Sequence, residues 1–210
     1  MACKTEPTVL GYVLAGGASS RFGTDKALAE FAGQTMLART AKLVATVTSN
    51  AKIVSHTVKL PAENFETILD QWPGEGPLGG ILTALADENK RAEESAFALI
   101  LSCDMPFLTG EWLAYLVERS RESGAEAIVP KSAQGWEPLC ACWRASTLET
   151  IGPLFKAGTR KVTDALNALD VEVLDEKDWK RFDTNGRLFW NMNTQADYEE
   201  ALRVIAAERS

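Results

Sequence analysis

The apolar run Val9-Leu10-Gly11-Tyr12-Val13-Leu14 breaks directly into Ala15-Gly16-Gly17-Ala18-Ser19-Ser20-Arg21-Phe22-Gly23-Thr24-Asp25-Lys26. A short, continuously apolar run bounded by a turn signal reads as a strand buried on both faces. Two adjacent glycines let the chain turn sharply and come close to a ligand. Successive N–H groups in such a turn can point at phosphate oxygens. Ser19 and Ser20 add hydroxyl donors, and Arg21 and Lys26 add fixed positive charge. By composition the loop is a polyphosphate cradle. The glycines alone would equally suit a plain strand-to-helix turn; the paired serines and the two cations weigh against that alternative. A Walker A loop would need Gly-Lys-Ser/Thr where Gly23 is followed by Thr24-Asp25, and a GxGxxG dinucleotide fingerprint is absent.

Further strands are predicted at Ala51–Ser55, Ala96–Ser102, Ala125–Pro130, Leu139–Trp143 and Val171–Leu174. Helical spacing of apolar residues places helices around Thr35–Thr46, from the Gly76–Leu85 turn onward, and over Gly110–Ser123, Ser146–Leu154, Val162–Leu169 and Gln195–Ala207. Ala133–Trp136 reads as a loop or hairpin tip, and Arg181–Gly186 as a surface loop. Strands alternating with helices predict α/β architecture: three layers, Rossmann-like, with a mostly parallel central sheet covered on both faces. Ligands of such sheets bind at the carboxyl ends of strands, which directs attention to the residues after Leu14, Ser55 and Ser102. With no repeat and no evident linker, residues 1–210 read as a single domain.

A formal net charge of −7 argues against nucleic acid and anionic membranes as partners. No apolar run reaches a membrane span, and the polar Met1–Pro7 segment is no signal peptide, so the chain is expected in the cytoplasm. The spacing of Cys3, Cys103, Cys140 and Cys142 suits neither zinc nor a redox pair, and buried reduced thiols are expected. His56 is the only histidine and ends an apolar run, so it reads as structural.

The loop Leu-Ala-Gly-Gly-x-Ser-x-Arg-Phe-Gly-x-Asp-Lys-Ala, from Leu14 to Ala27, resembles the signature of the molybdenum cofactor guanylyltransferases, within the nucleotidyltransferase-like superfamily. Asp70 with Gly76-Pro77-Leu78-Gly79-Gly80 looks like that family's second nucleotide segment, and Cys103-Asp104-Met105-Pro106-Phe107 like its metal motif. Gly158-Thr159-Arg160-Lys161-Val162 and Asn191-Met192-Asn193-Thr194 look like its two C-terminal motifs. These segments follow family order across nearly the whole chain.

The resemblance implies a nucleotidyltransferase fold and transfer of GMP from GTP to the terminal phosphate of molybdopterin, with release of pyrophosphate. It implies Mg²⁺ on Asp104; read alone, that carboxylate could equally cap a helix. Nucleotide binding falls by resemblance to Leu14, Ala15, Gly16, Gly17, Lys26, Ser55, Asp70 and Asp104, with Arg21, Lys26 and Asp104 catalytic. A carboxylate such as Asp70 can accept from both N1–H and the exocyclic amine of guanine, whereas cytosine lacks the N1–H; as a bare sequence feature, Asp70 would serve as a turn residue before Pro73. The Gly16-Gly17 pair, where cytidylyltransferase relatives carry Ala-Gly, favours GTP over CTP. Arg160 and Lys161 are implied to hold the acceptor phosphate, with solvated charges at a helix start as the alternative; cations there are slightly unfavourable for the helix dipole. Asn191 and Asn193 would orient metal-bound oxygens or the pterin, although asparagines also occur at helix caps and Thr194 would cap the last helix. Trp136 lies in the acceptor-side loop and could stack on the pterin. Two departures stand out: Ser55 where some members have asparagine, and Gln195 where the motif has proline. Contacts with cofactor-delivery proteins or molybdoenzymes would follow from such a role. The rival readings are a CTP-using or sugar-phosphate nucleotidyltransferase, and a non-catalytic nucleotide-binding module.

Overall fold

The computed structural model describes residues 9–16, 26–57, 64–90 and 96–208. The first strand, β1 (Val9–Ala15), is buried along its whole length. Its residues alternate between two apolar layers: Val9, Val13 and Ala15 enter one cluster, and Leu10, Tyr12 and Leu14 the other. After it come a two-residue hairpin, β2 (Glu30–Phe31) with β3 (Gln34–Thr35), and the helix α1 (Met36–Ala45). Thr35 caps α1, its hydroxyl accepting from Ala38 N at 3.2 Å. Next are β4 (Ala51–Ser55), β5 (Glu66–Leu69), α2 (Pro77–Asn89), β6 (Phe97–Ser102) and α3 (Gly110–Glu122). The second half supplies β7 (Ala127–Ser132), β8 (Gly135–Trp136), β9 (Cys140–Arg144), α4 (Thr147–Lys156), α5 (Val162–Leu166), β10 (Val171–Leu174), α6 (Glu176–Trp179) and α7 (Gln195–Glu208).

The main sheet runs in the order β10-β7-β9-β6-β1-β4-β5, with β8 paired to β7. β1 is parallel to both β4 and β6, β4 to β5, and β10 to β7. β9 alone among the large strands runs antiparallel, against β6 and β7. The sheet is therefore mostly parallel, as expected. α1 and α3 cover one face with Leu37, Val44, Trp112 and Leu116; α2, α4 and α5 cover the other with Ile81, Leu85, Ile151 and Leu166. This is the three-layer arrangement. Gly11 shows how closely α1 sits: a Cβ there would fall 1.9 Å from Val44 Cγ1, so a side chain on β1 would push the helix off the sheet.

The chain leaves β1 toward β4 and β5, then returns across it to β6. Neighbouring strands thus depart in opposite directions beside β1, which opens a crevice over its carboxyl end. Other differences from the sequence reading are local. β5 and β2 lie where the sequence predicts no element, and β3 overlaps the start of the predicted Thr35–Thr46 helix. α5 ends at Leu166, before the expected Leu169, and Lys180–Phe182 forms a single 3₁₀ turn in the expected surface loop. Cys103, Cys140 and Cys142 are buried, as expected, and burial pushes the Cys140 thiol up to about 12, against a hydrogen bond from Trp112; Cys3 lies outside the described residues. Among the described residues, no helix is long and apolar enough to cross a membrane.

Candidate active site

Strand register decides which residues meet over the crevice. Ala15 pairs with Ser55, and Ser55 with Leu69, so Gly16, His56 and Asp70 lie side by side just past three strand ends. They border a cleft of about 610 Å³, whose walls also include Leu14, Val54 and residues from Pro73 to Gly80. Asp70 is fixed there from three sides. Its N–H donates to Ser55 O at 2.8 Å. Its Oδ1 accepts from Trp72 N at 2.9 Å and from Thr83 Oγ1 at 3.1 Å. The residue is therefore both the turn-former and a cleft wall, and among the described residues its Oδ2 takes no hydrogen bond.

Ser55 and Ala15 face inward instead. Ser55 is 1 % exposed, and its Oγ accepts from Thr57 N. Val54 and His56 occupy the cleft wall on that strand. His56 is exposed at the cleft, although its place after an apolar run suggests a structural residue. A strand's last residues alternate faces, so a one-residue step decides which side chain reaches the ligand. Gly17 and Arg21 lie outside the described residues, as does the side chain of Lys26.

On the other side of β1, β6 ends at Ser102 and the chain turns through Asp104. Ser102 Oγ donates to Asp104 Oδ1 at 2.5 Å. Asp104 O accepts from Met192 N at 2.9 Å, which brings Asn191 and Asn193 against the same corner. Phe107 stacks flat on Trp190, with ring centroids 5.5 Å apart, and fixes this return. Asn191 Nδ2 donates to Phe189 O. Thr194 caps α7 as expected: its hydroxyl accepts from Asp197 N, while Asp197 Oδ2 accepts from Thr194 N and Asn193 N at 2.7 and 2.8 Å. The cap is complete without the proline that Gln195 replaces.

A further carboxylate stands nearby. Glu137 is 8 % exposed and accepts from Ser132 Oγ at 2.7 Å. Burial pushes its carboxyl up, the Ser132 bond opposes that, and the charge of Asp104 adds to the rise. The sequence reading placed Glu137 only within a loop; its signal would have been a carboxylate flanked by Trp136 and Pro138 before a buried strand.

Among the described residues, no three His, Cys, Asp or Glu side chains converge as a metal cage. Mg²⁺ needs none, because it favours one or two carboxylates, waters and substrate phosphates. The Asp104 corner offers hard oxygen donors of that kind, so its chemistry fits the ion.

Arg160 sits at the rim of the same cleft. Its Nε donates to Glu75 Oε2 at 2.5 Å, and its Nη1 to Phe155 O and Thr159 O at 2.7 and 3.0 Å. Lys161 is exposed at the start of α5. Trp136 is half-buried, with Lys131 Nζ 5.5 Å from its ring centre.

An open, mostly parallel sheet with a ligand cleft at its switch point and an acidic corner on the adjoining strand end defines an α/β nucleotide-handling protein. The particular family follows from comparison. The model of the MobA-like NTP transferase domain matches residues 11–177. A molybdenum cofactor guanylyltransferase of Desulfosudis oleivorans is 32% identical over 204 residues, covering 96% of this chain and 98% of the relative. A probable molybdenum cofactor guanylyltransferase of Bacillus cereus (strain ATCC 10987 / NRS 248) is 29% identical, covering 94% and 98%. The crystal structure of molybdopterin-guanine dinucleotide biosynthesis protein A from Archaeoglobus fulgidus superposes with a TM-score of 0.77 at 25% identity, covering 94% of this chain and 99% of that one. The chain belongs to the MobA-like NTP transferase family and is a nucleotidyltransferase.

Proposed function

We propose that the protein is a molybdenum cofactor guanylyltransferase: it transfers GMP from GTP to the terminal phosphate of molybdopterin and releases pyrophosphate. It would do so as one domain, in the cytoplasm and with Mg²⁺. One observation carries this reading: the Asp70 cleft spans the ends of β1, β4 and β5 and the Asp104 corner lies at the end of β6 on the other side of β1, so a nucleotide base and its phosphates can be held at once. Relatives named as guanylyltransferases support the same reading.

The acceptor's phosphate oxygen attacks the α-phosphorus of GTP. The bond from that phosphorus to the bridging oxygen breaks, and its electron pair leaves with pyrophosphate. The attacking oxygen is already ionised, so no general base is required. The obstacle is repulsion between anions and charge growth on the leaving group, and catalysis is positioning plus electrostatic neutralisation. Asp70 reads guanine, its Oδ2 accepting from the base's N–H groups while Trp72 N and Thr83 hold Oδ1. The backbone of Leu14, Ala15 and Gly16 borders the base, and Ser55 supports the strand end beneath it. The N–H groups of the glycine loop with Gly17, together with Arg21 and Lys26, hold the phosphates. Asp104, with Asn191 and Asn193 beside it, would hold Mg²⁺. When bound, the ion neutralises phosphate charge. Arg160 and Lys161 hold the acceptor phosphate.

Pyrophosphate release with GTP, CTP, ATP or UTP, with and without molybdopterin and Mg²⁺, tests this. Release is expected only with GTP, molybdopterin and Mg²⁺ together. Release with CTP in place of GTP would refute the base assignment, and no release with any nucleotide would leave a binding module.

A further inference from the structure

Glu75 stands between Gly74 and Gly76, both in left-handed backbone at φ 84°. Its N–H donates to Trp72 O at 3.1 Å, closing a tight turn. That turn is a wall of the nucleotide cleft. From it Glu75 accepts from Arg160 Nε at 2.5 Å. The guanidinium is otherwise fixed by protein groups that are not ions. Its Nη1 donates to two backbone carbonyls, and its carbon lies 4.1 Å from the centre of the Phe155 ring. Phe155 in turn packs edge-on to Trp72, with centroids 5.5 Å apart. Among the described residues, Nη2 has no hydrogen-bond partner. Glu75 thus engages one N–H of an edge built to hold two oxygens. The pair is half-exposed, at 43% and 47%, and such pairs contribute little net stability. A phosphate carries more charge and can span both Nε and Nη2, a geometry guanidinium favours.

We propose that Glu75 is a competing counter-ion of Arg160: its carboxylate occupies the Nε edge of the guanidinium at the cleft rim and is displaced by the acceptor's terminal phosphate. This rests on the acceptor role given to Arg160 under guanylyl transfer. Glu75 is a temporary counter-ion: Phe155 and the two carbonyls keep the guanidinium in place when the carboxylate leaves.

Two measurements on the whole chain test it. In the first, inorganic phosphate is titrated by ³¹P NMR against wild type, Glu75→Gln, Arg160→Ala and the double variant. Glu75→Gln is expected to tighten binding by about 1.5- to fivefold, the range of an exposed ion pair, and to have no effect in the Arg160→Ala background. In the second, pyrophosphate release is followed with GTP and varied molybdopterin. The acceptor KM is expected to fall by the same factor at unchanged kcat. An equal Glu75 effect in both backgrounds, or an acceptor KM indifferent to Glu75, overturns the proposal. Phosphate binding that responds through Arg160, without turnover in any variant, refutes guanylyl transfer and leaves the exchange between Glu75 and phosphate supported.

Discussion

Asp104 receives a hydrogen bond on its carboxylate from the hydroxyl of Ser102, two residues before it, and one on its carbonyl from the distant Met192 N. Only the first involves the side chain. Asp104→Ala is therefore expected to lower turnover by about 10²–10³-fold, the usual cost of losing a group that stabilises charge in the transition state, while circular dichroism and melting temperature stay at wild-type values. Glu137 differs because its carboxyl is buried. Its pKa lies above the ordinary 4.5, chiefly through burial. Between that ordinary value and the raised one, the folded chain keeps a proton that the unfolded chain has released, so stability falls as pH rises through this window. Urea denaturation from about pH 4 to pH 8 should show that decline in wild type and its loss in Glu137→Gln. Asp104 was legible in the sequence because it follows the most strand-like run at its carboxyl end. Glu137 was not, because burial of its carboxyl depends on how β8 and β9 bracket it. The exposure of His56 at the cleft was not legible, because an apolar run ahead of a residue says nothing about which face its side chain takes.

At the scale of elements, α1 comes closest to β1 at Gly11, where the strand has no side chain. Gly11→Ala should cost about 1–3 kcal/mol through overpacking against Val44. In a chain of this size that lowers the melting temperature by about 2–12 °C, measurable by calorimetry. The Trp190–Phe107 stack does a different job, since it holds the Asn191–Asn193 segment against the Asp104 turn. Trp190→Ala is expected to reduce kcat/KM at least about tenfold, a displacement effect on a positioned group. Far-ultraviolet dichroism, which reports the sheet and its helices, should be unchanged. The long elements were readable because their apolar periodicity is strong. The four-residue β5 and the two-residue β2 and β3 were not, because so short a stretch carries no period. The antiparallel direction of β9 was equally hidden, since strand direction follows from connections and not from composition.

The molecule as a whole is a sheet shared by two apolar layers. Trp112 is fully buried on the α1–α3 side and Trp143 on the α2–α4 side. Because every large strand contributes to both layers, the layers should unfold together. Trp112→Phe and Trp143→Phe, each followed in urea by the remaining indole fluorescence and by dichroism, should give coincident transitions within each variant. Separate midpoints would mean that the faces come apart independently. A net charge of −7 is compatible with an anionic ligand, because single cations such as Arg160, paired to the Glu75 turn of the cleft, act locally. The return of the chain from α6 to the Asp104 corner carries one last consequence. Contacts between residues far apart in sequence carry the entropy of a long loop, and this holds for the β1–β6 pairing as much as for the Met192–Asp104 bond. The centre of the sheet and the Asp104 corner therefore face the same entropic delay, and refolding should restore the sheet signal and activity together.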